Sequence, residues 1–153
     1  MRNIKKTILV TGGSRGIGLA ITKELLKKRN LIYLNHKTNT PELEKFFNKN
    51  QKQIIPLKAN LFLKKEIEFI LNRFLNDNIF PDVIINNAGI APSAPISYTS
   101  NKWEAQWDKT IGVNLKAPAL ICKAFIDHKI KMRINKKLRI INISSRAAFR
   151  GET

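Results

Sequence analysis

Short apolar runs alternate with amphipathic stretches along the chain. After the first run, apolar residues recur at helical spacing, as at Ile17, Ile21 and Leu25. Runs rich in β-branched and aliphatic residues predict five buried strands, at residues 8–10, 31–34, 53–57, 83–85 and 138–143. Strands separated by helices of this length pair in parallel through right-handed crossovers. We therefore predict a doubly wound α/β sheet with helices on both faces, forming one domain over residues 1–153.

Local signals mark the starts of two helices. Thr40 followed by Pro41 is typical of an N-cap and a first helical turn. A long helix is predicted over residues 103–129, with Asn101 and Glu104 as the capping box in front of it.

Length and composition set broad limits. With 153 residues and a hydrophobic fraction of 43%, the chain is large enough for one domain with a proper core. Its single cysteine, Cys122, cannot form an internal disulfide, and no metal site is predicted. No apolar run is long enough to span a membrane, so we expect a cytoplasmic protein without a membrane partner. Cys122 is predicted to lie in the core, and His36 and His128 on the surface.

The net charge of +17 leaves two interpretations open. The lysines are scattered over nearly every segment, which is typical of compositional drift with a solvated basic surface. The alternative is selection for acidic partners, such as an acyl chain carried on a phosphate or on an acidic carrier protein. No aromatic-rich RNA-binding motif is found, so a nucleic-acid partner is not expected.

A glycine-rich loop, "TGGSRGIG", lies between the first predicted strand and the first helix. Gly12 permits a tight turn, Gly16 lets the backbone approach a pyrophosphate, and Gly18 lets the helix pack close to the sheet. The helix N-terminus then offers free N–H groups and positive potential to the phosphates. Glycine-rich turns are common, but a position between strand and helix favours a dinucleotide cofactor.

Four motifs in register resemble those of the short-chain dehydrogenase/reductase family. They are "TGGSRGIG", then "NNAG" at residues 86–89, "WDKTIGVNLKAPALICKAF" at residues 107–125, and "INISS" at residues 141–145. The resemblance runs from Lys6 to the last residue, and within the family it is strongest to the 3-oxoacyl-[acyl-carrier-protein] reductases. It implies a Rossmann-type fold that stops after the fifth strand, and hydride transfer between a nicotinamide and a carbonyl or hydroxyl substrate.

The resemblance also implies where the cofactor binds. The second strand ends without the acid that holds a ribose 2′-hydroxyl in NAD-selective relatives. Arg15 and Lys37 together suit a 2′-phosphate, so NADP(H) is predicted rather than NAD(H). The implied cofactor-binding residues are Gly12, Gly13, Ser14, Arg15, Gly16, Ile17, Gly18, Asn35, His36, Lys37, Asn60, Leu61, Asn87, Ala88 and Gly89.

Two catalytic residues follow from the same resemblance. Ser145 is implied to hydrogen-bond the substrate oxygen, and Asn114 to hold a relay water through its carbonyl. The sequence adds a physical reason for the second role. In a regular helix the N–H at position 118 would bond the Asn114 carbonyl, but Pro118 has none, so we expect a free carbonyl and a kink.

The family's proton donor is a Tyr-x-x-x-Lys pair beyond the serine strand, and no such pair follows Ser145 in the 153 residues. Tyr33 with Lys37 and Tyr98 with Lys102 match the spacing, but both pairs precede the serine and are rejected.

Two functions are compatible with these motifs. The first is an NADPH-dependent 3-oxoacyl thioester reductase of fatty acid biosynthesis, homo-oligomeric when full length, which acts on a small-molecule or acyl-carrier-bound carbonyl. The second is a truncated, inactive nucleotide-binding remnant of such an enzyme. In either case the 153 residues alone are expected to be poorly soluble and to lack NADPH oxidation.

Overall fold

A computed structural model of the chain describes residues 4–146, which build one parallel sheet of five strands. The sheet order is β3-β2-β1-β4-β5, and each neighbouring pair is parallel. The strands are β1 Thr7–Val10, β2 Leu31–His36, β3 Ile54–Lys58, β4 Val83–Asn86 and β5 Arg139–Asn142. All five lie where the apolar runs predict them, to within two residues at either end.

Five α-helices connect the strands, and the predicted doubly wound α/β fold is confirmed. They are α1 Gly16–Lys27, α2 Pro41–Lys49, α3 Lys64–Asn76, α4 Ser100–Ile111 and α5 Ala117–Lys131. Thr40 caps α2 as predicted, since its side chain accepts a 3.2 Å hydrogen bond from the Leu43 amide. Within residues 4–146, no helix combines the length and apolarity that crossing a bilayer would require.

The core has two layers, one on each face of the sheet. Leu9, Tyr33 and Ile84 point toward α3 and α5, where they meet buried residues such as Phe74 and Phe125. On the other face, the alternate strand residues pack under α1 and α2; they include Ile8, Val10, Ile32, Leu34, Val83 and Ile85. This alternation is the period-two pattern of a sheet that is covered on both sides.

The predicted long helix is not continuous. A single π-helical stretch, Gly112–Lys116, separates α4 from α5 and is called the π turn below. In it, the Ala117 amide bonds the carbonyl of Gly112, five residues back. The irregularity expected from Pro118 is therefore found just before that residue, and its form is a widened turn.

The predicted capping box of this helix is wrong. The helix begins at Ser100 with Thr99 as its N-cap, so Asn101 lies inside the first turn, and no side chain caps it. A turn that precedes α4 sets the start of the helix instead, because the Tyr98 amide donates a hydrogen bond of 3.0 Å to the Pro95 carbonyl. The ammonium of Lys102 then lies 3.7 Å from the centroid of the Tyr98 ring, a cation–π contact across the first turn.

Strand β5 lies at one edge of the described sheet and is poorly covered. All four of its residues are exposed, and Ile140 and Ile141 keep 37% and 45% of their surface accessible. In the described sheet, β5 is therefore an exposed edge strand rich in isoleucine.

Candidate functional site

The glycine loop has the backbone geometry that its spacing predicts. Gly12 and Gly16 take φ values of +61° and +51°, a region that favours glycine. A Cβ on Gly18 would lie 2.2 Å from the Gly12 carbonyl oxygen, so only glycine lets α1 approach the loop this closely. Gly13 has a different role: it faces Leu34 and Thr22 in the core and does not line the cavity described below.

A second loop is fastened to the glycine loop by direct hydrogen bonds. The Thr11 hydroxyl oxygen accepts bonds of 3.0 Å from the amides of Asn87 and Ala88. In return, the Asn87 side-chain amide donates to the carbonyls of Thr11 and Gly12, at 2.9 and 3.1 Å. The carboxyl ends of β1 and β4 thus carry two loops that are held as one unit.

These loops and the end of β2 surround a cavity of about 390 Å³. Every residue predicted to bind the cofactor lines it except Gly13. The structure adds five residues that sequence reasoning missed: Thr38, Ala59, Ile90, Lys109 and Val113. The sequence does not single out Ile90 and Val113, because they are apolar residues outside the glycine-rich loop and the "NNAG" motif. Nor does it distinguish Lys109 from the many other lysines of the chain.

The cavity is electropositive. Arg15, Lys37 and Lys109 line it, and within residues 4–146 no acidic side chain is among its lining residues. It also contains the N-terminus of α1, whose free amide groups favour anions. The residues present therefore fit a dinucleotide phosphate, and they offer no carboxylate for a ribose 2′-hydroxyl.

Asn35 connects the glycine loop to β3. It is 2% exposed, and its side chain accepts a bond from the Gly12 amide at 3.3 Å. The same side chain donates to the carbonyls of Leu57 and Ala59, at 3.3 and 3.0 Å. Because this amide already has backbone partners on both sides, its position at the cavity wall is fixed by the fold.

The prediction that His36 lies on the surface is wrong. Strand β2 continues two residues past Leu34, so His36 pairs with Lys58 of β3 and is only 3% exposed. Its ring packs 5.1 Å from that of Phe47, and Nδ1 lies 3.3 Å from the Thr38 carbonyl oxygen. Burial, together with the nearby charge of Lys58, lowers the pKa of His36, so the ring is neutral at neutral pH.

The predicted catalytic residues lie near a second, adjoining cavity. This cavity of about 370 Å³ lies between β4, β5 and α5, and it shares Leu61, Ala88 and Val113 with the first. Asn114 lines it, whereas Ser145 is exposed just beyond the end of β5 and is not among the lining residues. Asn114 thus lies within the π turn, whereas Ser145 follows β5 at the carboxyl end of that strand.

The side chain of Asn114 is committed to the loop after β4. Its Nδ2 donates to the Ile90 carbonyl and its Oδ1 accepts from the Ile90 amide, each at 2.8 Å. The π turn exposes Asn114 while it buries Val113 on the opposite side. Gly112, at the start of the turn, packs against the Phe62 ring, which would have to shift to admit a Cβ.

Cys122 is half-buried and lies in the wall of this second cavity. Asn86, 6% exposed, donates to the Cys122 sulfur at 3.4 Å and to the side chain of Asn142 at 2.8 Å. The prediction that Cys122 lies in the core is thus only partly confirmed, because the side chain borders a cavity next to β5. Within residues 4–146, no three His, Cys, Asp or Glu side chains are grouped so as to hold a metal.

The two rejected tyrosines have structural contacts elsewhere. Tyr33 is fully buried and donates a 2.6 Å hydrogen bond to Asp77, and Tyr98 lies under Lys102. Neither lines either cavity.

Comparison with known proteins gives a family match over almost the whole chain. The model of the family described as "short chain dehydrogenase" matches residues 6–153. A short-chain dehydrogenase/reductase, FrzI, of a Cladobotryum species is 29% identical, covering 97% of this chain and 55% of its own. The 3-oxoacyl-[acyl-carrier-protein] reductase FabG of Chlamydia trachomatis is 30% identical, covering 97% and 58%. The chain thus spans somewhat more than half the length of these relatives.

Solved structures share the fold. A 4-hydroxyisoleucine dehydrogenase complexed with NADH superposes with a TM-score of 0.83 at 24% identity, covering 97% of this chain and 58% of its own. A metagenomic short-chain oxidoreductase in complex with NADP gives a TM-score of 0.75 at 29% identity, covering 94% and 63%. Both matched proteins carry a nicotinamide cofactor on this architecture.

Proposed function

The chain belongs to the short-chain dehydrogenase family, and from that premise we propose that it binds NADPH and serves the reduction of a carbonyl, a 3-oxoacyl thioester in particular. The observation that carries the cofactor choice is the cavity wall, where Arg15 and Lys37 lie at the glycine loop and the end of β2, with no acid among the described lining residues. We also propose that residues 1–153 act as one cofactor-binding domain.

Each wall of the cavity has a task in this proposal. The amides at the start of α1 hold the pyrophosphate, and Arg15 with Lys37 holds the ribose 2′-phosphate by charge-assisted hydrogen bonds. Leu61 and Val113 offer an apolar wall for the adenine. When bound, the cofactor supplies the hydride.

Two residues are proposed for the substrate side. Ser145 orients the carbonyl oxygen with its hydroxyl, and Asn114 contributes through its backbone carbonyl. The side chain of Asn114 is occupied by Ile90, which supports a backbone role for Asn114.

The substrate proposal rests on the relatives and on charge. A matched chlamydial protein is a reductase of 3-oxoacyl groups on an acyl carrier protein. The net charge of +17 suits an acidic or phosphate-bearing carrier, which it would attract from solution.

A second candidate function follows from the residue content. The 153 residues contain no Tyr-x-x-x-Lys pair after Ser145, so they lack the proton donor that the family resemblance implies. General acids contribute typically a hundredfold or more. We therefore propose that these residues alone bind the cofactor without turning it over.

Fluorescence titration tests the cofactor assignment. NADPH should bind more tightly than NADH, and Arg15→Ala or Lys37→Ala should weaken NADPH selectively, by about 1–3 kcal/mol for a lost charge-assisted bond. Lys23→Ala, on an exposed face of α1, is the control for a lost positive charge. Equal affinities for the two cofactors, or equal losses with both in the variants, would reject the 2′-phosphate assignment.

An activity assay separates the two candidate functions. The 153-residue chain should not oxidise NADPH with 3-oxoacyl substrates, whereas fusion to the Tyr- and Lys-bearing segment of a relative should restore turnover. Turnover by the 153 residues alone would reject the binding-only alternative and assign the proton donor to a residue already present.

A further inference from the structure

The end of the sheet where the strands begin, opposite the cofactor cavity, is strongly basic. Two segments make up what we call the basic end: residues 4–6 before β1, and residues 129–139 between the last turn of α5 and the start of β5. The starts of β1 and β5, where these segments meet the sheet, lie about 10 Å apart, because only β4 separates the two strands and neighbouring strands are about 4.8 Å apart. The exposed cations of the basic end are Lys5, Lys6, Lys131, Arg133, Lys137 and Arg139.

Nearby acids do not neutralise this charge. Asp82, in the loop before β4, pairs with Lys136 at 3.1 Å and also accepts a bond from the Thr7 amide. Asp127 on α5 pairs with Lys123. Among the described residues, Lys131, Arg133 and Lys137 have no ion pair with a carboxylate.

Helix stability explains only part of the charge. Lysines in the last turn of α5, such as Lys131, interact favourably with the helix dipole, but that effect fades within one turn. Arg133, Lys137 and Arg139 lie beyond the helix, where the dipole gives no reason for a cation.

Large apolar side chains stand exposed among these cations. Ile130 and Met132 keep 70% and 58% of their surface accessible, and Ile4 keeps 47%. The Phe80 ring, in the loop before β4, is half-buried and packed against the rings of His128 and Phe125, so it is not free to stack on a base.

We propose that the basic end is a docking surface for an anionic lipid bilayer. Lysine and arginine attract acidic headgroups, while exposed aliphatic side chains enter the boundary between headgroups and acyl chains. Single-stranded nucleic acids would be expected to use exposed aromatic platforms, which this end lacks. A purely electrostatic contact with an acidic protein would leave Ile130 and Met132 without a function.

Such a contact is peripheral and needs no spanning helix. The docked protein would hold the opposite, carboxyl end of the sheet away from the bilayer. The cofactor cavity would therefore stay open to solvent while the basic end is occupied.

Vesicle co-sedimentation tests the proposal. The purified protein should bind vesicles of phosphatidylcholine with added phosphatidylglycerol, but not pure phosphatidylcholine, and high salt should weaken binding. Lys131→Glu, Arg133→Glu and Lys137→Glu combined should weaken partitioning by at least about tenfold, since each basic residue near the surface contributes roughly a factor of five. Ile130→Ser with Met132→Ser should weaken it without changing the charge.

A matched triple variant controls for net charge. Lys23→Glu, Lys45→Glu and Lys65→Glu replace exposed lysines on α1, α2 and α3, away from the basic end, and should leave most binding intact. Circular dichroism verifies that each variant is folded. Equal loss in the two triple variants, or equal binding to both vesicle types, would overturn the proposal.

Two other ligands decide between partner classes. Tighter binding to double-stranded DNA than to acidic vesicles would assign the basic end to nucleic acid. Capture by polyglutamate that matches vesicle binding and is unchanged by Ile130→Ser with Met132→Ser would assign it to an acidic protein. Either result would overturn the lipid assignment.

Discussion

Asn114 and Ile90 exchange two hydrogen bonds of 2.8 Å, between the side-chain amide of the first and the backbone of the second. This exchange mimics one rung of a sheet and joins the π turn to the loop after β4. It lies at the junction of the two cavities, because Ile90 lines the first and Asn114 the second. The geometry of the proposed site thus depends on a side chain whose contacts are with the backbone.

We predict that Asn114→Ala lowers the free energy of unfolding by about 1–2 kcal/mol, the net contribution of two partly exposed hydrogen bonds. Asn114→Asp should cost a similar amount, because a carboxylate accepts from the Ile90 amide but cannot donate to its carbonyl. Urea unfolding followed by circular dichroism measures both. Lys116→Ala, exposed on the same turn, is the control and should be neutral. An unchanged urea midpoint for Asn114→Ala would show that the two hydrogen bonds between Asn114 and Ile90 contribute nothing to stability.

The glycine loop gives a matched pair of substitutions. Gly18→Ala places a methyl group 2.2 Å from the Gly12 carbonyl and 2.4 Å from the Asn87 amide nitrogen, both held in place. We expect it to displace α1 and abolish cofactor binding. Gly16→Ala meets no protein atom within 4 Å, so its cost to the fold is only the strain of φ +51°, about 1 kcal/mol. Thermal melting of both variants checks this order in stability, and cofactor titration of Gly18→Ala measures the loss of binding. A reversed order in stability would contradict the role given to close packing at Gly18.

Tyr33 and Asp77 provide a pH-dependent contact between β2 and the end of α3. The 2.6 Å hydrogen bond from Tyr33, followed by the interaction with Arg73, holds the pKa of Asp77 below its ordinary value of 3.8. Burial, and then the same hydrogen bond, raises the pKa of Tyr33, so its hydroxyl remains protonated. A carboxyl with a depressed folded-state pKa adds stability above its unfolded pKa and loses it as the pH falls through the folded value.

We therefore predict that Tyr33→Phe costs about 1.5–3 kcal/mol at neutral pH, as expected for a hydrogen bond to a charged group. The difference between the wild type and Tyr33→Phe should shrink as the pH falls below 3.8. Urea midpoints at several pH values measure it, with Tyr98→Phe as the control. A gap that stays constant with pH would mean that Asp77 does not carry the effect.

Much of this fold can be predicted from the sequence because its signals are local. The apolar runs give all five strands, and the spacing of Gly12, Gly16 and Gly18 indicates the turn and the close helix contact that the structure has. Thr40 caps its helix because an N-cap needs only its own turn. These features depend on few long-range contacts.

The missed features depend on distant neighbours. His36 is buried because β3 pairs beside it and Phe47 packs on it, which no local pattern reveals. The bond from Tyr33 to Asp77 joins residues 44 positions apart. Pro118 indicates an irregular helix, but whether the chain kinks or forms a π turn is decided by tertiary contacts such as those of Gly112 with Phe62 and Asn114 with Ile90.

The exposed edge strand leads to the last prediction. Within residues 4–146, β5 pairs only with β4, and Ile141 is 45% exposed on the face that α1 and α2 cover elsewhere. An apolar edge strand can pair with the same strand of another molecule, so we expect the 153-residue chain to aggregate through it.

Ile141→Thr keeps a β-branched side chain that suits a strand and removes apolar surface at the edge. It should raise the soluble yield and lower light scattering. Ile96→Thr is the control, since Ile96 is 96% exposed but lies in a loop outside the sheet. If Ile96→Thr improves solubility as much as Ile141→Thr, exposed apolar area in general is responsible, and the edge strand is not the site of aggregation.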